Sequence, residues 1–228
     1  MQRADLIPLL ADEIVKRKRA IKPLLVGIDG RCASGKTMLA DELSASIRLK
    51  EPGLEILRPS VDGFHHPQEH RYRQGEFSAL GYYEDAFDYD AVVECVLGPL
   101  SGNRFPVQCR QVAHCWRTDM PEDAPAVLAG ANTVLLFDGI FVFRREIYTW
   151  WDFRILVDVD AETSIARALQ RDCSPISGPE IVEKKYRLRY EPAWQIYVDE
   201  EHPELKADVI VNNSVIAEPT ASWRPRGQ

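Results

Sequence analysis

The stretch Gly30-Arg-Cys-Ala-Ser-Gly-Lys-Thr37 decides the fold of this chain. It follows the apolar run Pro23-Leu-Leu-Val-Gly-Ile-Asp29 and precedes Met38-Leu-Ala-Asp-Glu-Leu-Ser-Ala-Ser-Ile47. Glycine at 30 and 35, then Lys36 and Thr37, match the P-loop pattern without departure. The glycines let backbone N–H groups curl around an anion, and the free N–H groups and positive end of the next helix face the same point. Gly30, Arg31, Cys32, Ala33, Ser34, Gly35, Lys36 and Thr37 are therefore the expected phosphate cradle. Lys36 would reach the β- and γ-phosphates of a nucleoside triphosphate, and Thr37 would offer its hydroxyl to Mg²⁺. An ordinary glycine-rich turn is the alternative. The strand expected before the loop and the helix expected after it favour the cradle.

Working outward, the chain alternates strands and helices. Apolar residues at Leu6, Ile7, Leu9, Leu10, Ile14 and Val15 predict an amphipathic helix over residues 3–18. Buried strands are expected at 24–28, 54–57, 133–138, 153–159 and 207–212, and helices at 37–49, 89–97 and 161–172. Residues 180–200 read as a helical stretch interrupted by Pro192, and the tail after Pro219 as frayed. Strands that are apolar throughout and separated by helices imply a parallel sheet covered on both faces. The expected fold is α/β, a P-loop NTPase-type three-layer sandwich with about five parallel strands, helices on both faces and a small lid. We expect one domain over 1–228, with a core at about 22–213 and a lid at about 172–192.

Composition narrows the function classes. The 228 residues carry a formal net charge of −7, a poor match to a nucleic-acid binder, whose affinity rests on Lys and Arg. A local basic pocket for a small phosphate ligand remains compatible with that charge. Five scattered cysteines without a CxxC pair argue against a disulfide framework or a zinc site. With no long apolar segment, the expectation is a cytoplasmic chain with reduced thiols, binding neither nucleic acid nor membrane.

Two carboxylates extend the cradle. Asp138 ends the apolar run Val134-Leu-Leu-Phe137, where a Walker-B carboxylate would organise magnesium. Asp62, in Ser60-Val-Asp-Gly-Phe-His-His66, follows the second strand, and ligands of such sheets bind beyond the strands' carboxyl ends. Alone, Asp62 equally suits an Asx-turn before Gly63. Beside a P-loop and Asp138, it suits a base that takes the proton of an acceptor hydroxyl.

The ordered set of segments resembles the uridine kinase branch of P-loop kinases, which includes phosphoribulokinase, pantothenate kinase and nicotinamide riboside kinase relatives. The segments are the P-loop, Asp62-Gly-Phe-His65, Asp85-Ala-Phe-Asp88, Asp138-Gly-Ile-Phe141 and Arg167-Ala-Leu-Gln-Arg171-Asp172, across about 22–213. The resemblance implies ATP- or GTP-dependent phosphorylation of a small hydroxylated metabolite, foremost a nucleoside. A sugar, pantothenate or nicotinamide riboside is the alternative acceptor. It implies Asp62 as the catalytic aspartate, and Arg167 and Arg171 as arginines near a lid that clamp the transferring phosphate. Arg suits such bidentate contact. Homo-oligomers occur among these relatives. Two departures stand out: Tyr82 occupies the place of an aspartate that holds ribose in uridine kinases, and residues 173–178 replace the glycine- and arginine-rich lid. Asp62-Gly-Phe-His65 is closer to pantothenate kinase-like and sugar kinase relatives.

Further acceptor-pocket candidates are His65, His66, Arg71, Tyr83 and Arg117, with His70 and His114 as weaker ones. Arg187 and Arg189 suit either a lid or a solvated face. Cys32 reads as small filler or as a redox-sensitive thiol near a helix N-terminus.

Overall fold

A computed structural model describes residues 1–173 and 178–224. Six strands build the central sheet: β1 (Leu24–Asp29), β2 (Glu55–Leu57), β3 (Thr133–Asp138), β4 (Phe153–Asp158), β5 (Val209–Asn212) and β6 (Thr220–Trp223). Their order across the sheet is β6-β5-β4-β1-β3-β2, with all neighbours parallel except the antiparallel β5–β6 pair. The sheet thus has one strand more than expected. The extra strand occupies the tail read as frayed: Thr220 to Trp223 pair with Asn212 to Val209. At an edge, backbone hydrogen bonds to one neighbour hold a strand whose polar composition gives no buried-strand signal.

β1 and β3 are buried along their whole length, because both faces of the sheet are covered. On one face, α1 (Arg3–Arg17) and α2 (Lys36–Lys50) set Leu6, Leu10, Ile14, Leu39, Leu43 and Ile47 against Leu24, Val26, Val134 and Leu136. The odd partners of that alternation, Leu25, Leu135 and Phe137, face the opposite layer with Phe141, Trp151, Trp194 and Tyr197. Period-two alternation assigns successive residues of a strand to opposite layers. Gly27 is required there: a Cβ at this position would come within 2.8 Å of the Trp151 ring.

Two further helices matter for the site, α3 (Ala161–Asp172) and α4 (Glu191–Glu201). Between Pro179–Lys185 and α4 the chain passes through a π-helical turn, Tyr186–Tyr190. The expected interruption at Pro192 does not occur. Pro192 sits in the first turn of α4, and the wider turn before it accommodates the ring and the missing N–H. Asp88 caps its helix by accepting from Ala91 N–H at 2.8 Å. Residues 98–125 carry short extended pieces, including antiparallel pairs Val107–Cys109 with Val127–Ala129 and His114–Cys115 with Met120–Pro121. Among the described residues, no helix is long and apolar enough to cross a membrane. Residues 174–177, within the expected lid, lie outside the described residues.

Candidate active site

The loop after β1 is held open from behind. Its carbonyls are engaged by other groups: Lys36 Nζ donates to Arg31 O at 2.7 Å, Ser164 Oγ to Cys32 O at 2.8 Å and Asn213 Nδ2 to Ser34 O at 2.7 Å. Ala33 and Gly35 adopt left-handed backbone, with φ 54° and 95°. A Cβ on Gly35 would lie 2.6 Å from Asn213 Nδ2, and one on Gly30 2.3 Å from the Val157 carbonyl oxygen. Both glycines are therefore fixed by close approach as well as by conformation. Asp29, fully buried, anchors the loop's start by accepting from Gly30 N–H at 2.7 Å, Phe143 N–H at 3.0 Å and the Tyr197 hydroxyl.

Thr37 and Asp138 meet at the mouth of this loop. Thr37 Oγ1 donates to Asp138 Oδ2 at 2.7 Å, and Arg58 Nη1 lies 3.3 Å from Asp138 Oδ1. Burial pushes the Asp138 carboxyl above its ordinary range, opposed by the Thr37 hydroxyl and the Arg58 and Lys36 charges. Arg58 was not singled out from sequence. Its signal was position: it directly follows β2, at the same end of the sheet as Asp138. It also reaches Leu136 O at 2.9 Å and Asp41 at 2.9 Å.

The residues gathered here fit a nucleoside triphosphate with Mg²⁺. The cradle is glycine-shaped, and buried Ser34 Oγ has no hydrogen-bond partner among the described residues. Thr37 and Asp138 present oxygen donors, the type magnesium prefers. A cleft of about 320 Å³ opens here between Gly35, Lys36, Thr37, Arg167, Arg171 and Asn213.

A second cleft, of about 590 Å³, lies beside it. Its lining includes Asp62, His65, Arg71, Tyr82, Trp116 and Arg117. Arg171 borders both clefts. Asp62 sits in a short 3₁₀ turn, Val61–Gly63, capped by Ser60, whose hydroxyl accepts from Asp62 N–H at 3.3 Å. Ser60 itself pairs with Asp138, so the turn is carried to the end of β3. His65 Nδ1 lies 3.0 Å from Asp62 O. Burial holds the His65 imidazole below its ordinary value, with the Asp62 charge opposing.

Three expected residues stand elsewhere or act otherwise. Tyr83 lines neither cleft: its hydroxyl donates to Glu200 at 3.0 Å and its ring carries the Arg144 guanidinium 4.1 Å away. His66 also lines neither, standing 3.9 Å from Asp88 and ring to ring with His70 at 4.2 Å. Arg167 spends its guanidinium on backbone, donating to Asn213 O at 2.7 Å and Ser214 O at 3.0 Å. At Cys32, burial pushes the thiol above its ordinary value, with the nearby Lys36 charge opposing. Arg171 is paired with Asp172 at 2.6 Å. Arg31 bonds Glu191 at 2.6 Å, tying the loop to α4. Arg187 is a solvated residue paired with Glu162 and Glu183, whereas Arg189 is buried.

Comparison with known proteins bears on this arrangement. Residues 25–216 match the family model described as the phosphoribulokinase/uridine kinase family. Uridine-cytidine kinase B of Dictyostelium discoideum is 28% identical over 192 residues, covering 83% of this chain and 74% of that protein. Uridine-cytidine kinase A of the same organism is 24% identical over 178 residues, and this chain spans about a third (34%) of its length. The fold is similar to the structure of a possible uridine kinase from Bacillus stearothermophilus, at TM-score 0.66 and 24% identity, covering 91% of this chain and 97% of that one.

Proposed function

The chain belongs to the phosphoribulokinase/uridine kinase family, and from that premise we propose that it transfers the γ-phosphoryl group of ATP or GTP to a hydroxyl of a small metabolite. The observation that carries this reading is Arg171, which borders both the P-loop cleft and the Asp62 cleft. A donor site and an acceptor site that share a wall are what a two-substrate transfer needs. Similarity to uridine-cytidine kinases makes a nucleoside the first acceptor to assay.

In this mechanism the P-loop backbone and Lys36 hold the triphosphate. Thr37 and Asp138 would hold Mg²⁺, which supplies charge neutralisation of the phosphates when bound. Asp62 accepts the proton of the acceptor hydroxyl as its oxygen bonds to the γ-phosphorus and the bridging oxygen leaves with the diphosphate. Arg171 swings from Asp172 to the transferring group, one strong hydrogen-bonded ion pair replacing another. Arg167 holds the loop through Ser34 O and Asn213 O at the wall of the P-loop cleft. Positioning and electrostatics supply most of the rate gain.

The test is ADP or GDP formation by the purified chain against a panel of nucleosides, sugars, pantothenate and nicotinamide riboside. Acceptor-dependent turnover that Asp62→Asn removes supports the reading. Slow hydrolysis that no acceptor accelerates overturns it in favour of an NTPase without a small acceptor.

A further inference from the structure

The lining of the larger cleft is strongly cationic for a chain whose net charge is −7. Five cations, Arg71, Arg117, Arg171, Lys185 and Arg189, face two carboxylates, Asp62 and Asp172. Arg171 is shared with the P-loop cleft, but the other four cations line the acceptor cleft and not the P-loop cleft. These four cations therefore stand on the acceptor side of the site.

The ion pairs leave this charge incompletely compensated. Arg171 takes Asp172, Lys185 takes Glu76 at 3.1 Å, and Arg71 takes Asp119 at 3.2 Å. Arg117 makes no ion pair among the described residues; its guanidinium lies 5.1 Å from the Trp116 ring centroid. Arg189 is 3% exposed and has no carboxylate partner among the described residues. It donates to the carbonyls of Arg71, Gly75, Glu76 and Ser78, and lies over the Tyr72 and Tyr82 rings. These neutral contacts fix the segment 71–78 against the π-helical turn but bring no countercharge. Arg71 is 7% exposed, and its buried Nε has no hydrogen-bond partner among the described residues. A buried cation without countercharge, and an orphaned guanidinium donor, both carry a desolvation cost that an anion in the cleft would offset.

We propose that the acceptor is an anion, a small hydroxylated metabolite bearing a carboxylate or phosphate monoester, with Arg71 and Arg117 as the groups that recognise that charge. The proposal rests on the phosphotransfer reading above and narrows it away from neutral nucleosides. Asp62 receives the hydroxyl end. The anionic end goes to the arginines, whose forked donors match a planar carboxylate or a phosphate face. The aromatic lining from Tyr72, Tyr82 and Trp116 covers the apolar body between them.

Matched pairs test this, each acid beside its uncharged counterpart: glycerate beside glyceramide, pantothenate beside its amide, and ribose 5-phosphate beside ribose, with uridine and cytidine as neutral nucleosides. Turnover with ATP and Mg²⁺ is read together with thermal-shift binding in the presence of ADP and Mg²⁺. We expect one charged member to exceed its neutral counterpart in kcat/KM by about 10–100-fold, the range of one strong charge-assisted contact. The carboxylate and phosphate arms tell the two anion sources apart. Arg117→Gln should collapse that charged-to-neutral ratio, a readout insensitive to the fraction of folded enzyme, and Arg117→Lys should restore part of it. Uridine or cytidine turned over at least as well as every anion overturns the proposal and leaves the kinase reading standing. Arg117-dependent anion binding without any phosphorylation supports the site and overturns the kinase reading. No anion binding that depends on Arg117 overturns the proposal.

Discussion

Thr37 Oγ1 and Asp138 Oδ2 lie 2.7 Å apart, joining the first turn of α2 to the end of β3 across 101 positions of sequence. Both oxygens are thereby directed to one point. In the proposed reaction these two oxygens would hold a divalent cation, which would supply charge neutralisation of the phosphates. Asp138→Asn and Thr37→Ala should each lower kcat by about 10²–10³-fold, the scale of losing one charge-stabilising group. The half-saturating Mg²⁺ concentration should rise in both. Steady-state kinetics over a magnesium series checks this; an unchanged magnesium dependence would remove these two residues from the metal site.

Asp62 is carried to the same end of the sheet by the Ser60–Asp138 bridge, yet stays exposed on the acceptor side. Asp62→Asn keeps shape and removes the proton acceptor. The expected loss in kcat is about 10²–10⁴-fold, the range of general base catalysis. Nucleotide affinity, measured by titration with a fluorescent ATP analogue, should change less than about threefold. A weakened nucleotide affinity with kcat retained would place Asp62 in the donor site instead.

Much of this arrangement was legible in sequence for one reason. β1 and β3 are buried end to end, so their apolar runs stand out and the polar residues that close them, Asp29 and Asp138, mark the sheet's working end. Arg58 was passed over because β2 is only three residues long and half exposed, which gives a weak strand signal just before it. Tyr83 looked like a pocket aromatic beside Tyr82, but helical neighbours diverge: Tyr82 reaches the cleft, and Tyr83 turns to Glu200 and Arg144. β6 was missed because an edge strand is specified by its neighbour's backbone rather than by its own polar side chains. The Asp29–Tyr197 contact spans 168 positions and leaves no local pattern at all.

That contact has a measurable consequence. The Tyr197 hydroxyl donates to buried Asp29 and accepts from Phe143 N–H at 3.1 Å, tying α4 to the root of the P-loop. Tyr197→Phe removes one of the three donors to the Asp29 carboxylate, leaving Gly30 N–H and Phe143 N–H. The expected cost is about 1–3 kcal/mol for an under-satisfied buried group. Thermal unfolding should shift down by about 2–4 °C per kcal/mol for a chain of this size. An unchanged Tm would mean that the carboxylate is satisfied without Tyr197.

His65 gives the pH dependence a sign. Burial lowers its imidazole below the ordinary value of about 6.5, and His66 shifts in the same direction for the same first cause. The unfolded chain therefore binds protons between the folded and unfolded values where the native chain does not. The stability these two histidines contribute is complete above about pH 6.5 and is lost as pH falls through that value towards the lower folded ones. Thermal unfolding at pH 7.5 and pH 5.5 should show the loss, and His65→Gln should reduce it. Equal losses in wild type and variant would assign the dependence to other groups.

Cysteine chemistry separates the cleft from the surface. Cys32 borders the acceptor cleft 3.7 Å from the Tyr82 hydroxyl, and burial raises its thiol. Cys115 is shifted the other way by its hydrogen bond with Thr118, and Cys173 is exposed. Thiolate content and access govern reaction with alkylating agents and peroxide. At pH 7, iodoacetamide followed by peptide mass mapping should therefore find label on Cys115 and Cys173 well before Cys32. Mild peroxide should leave wild type and Cys32→Ser with equal activity. Protection of activity by Cys32→Ser would instead show that the helix N-terminus and Lys36 overcome burial, making the P-loop thiol reactive after all.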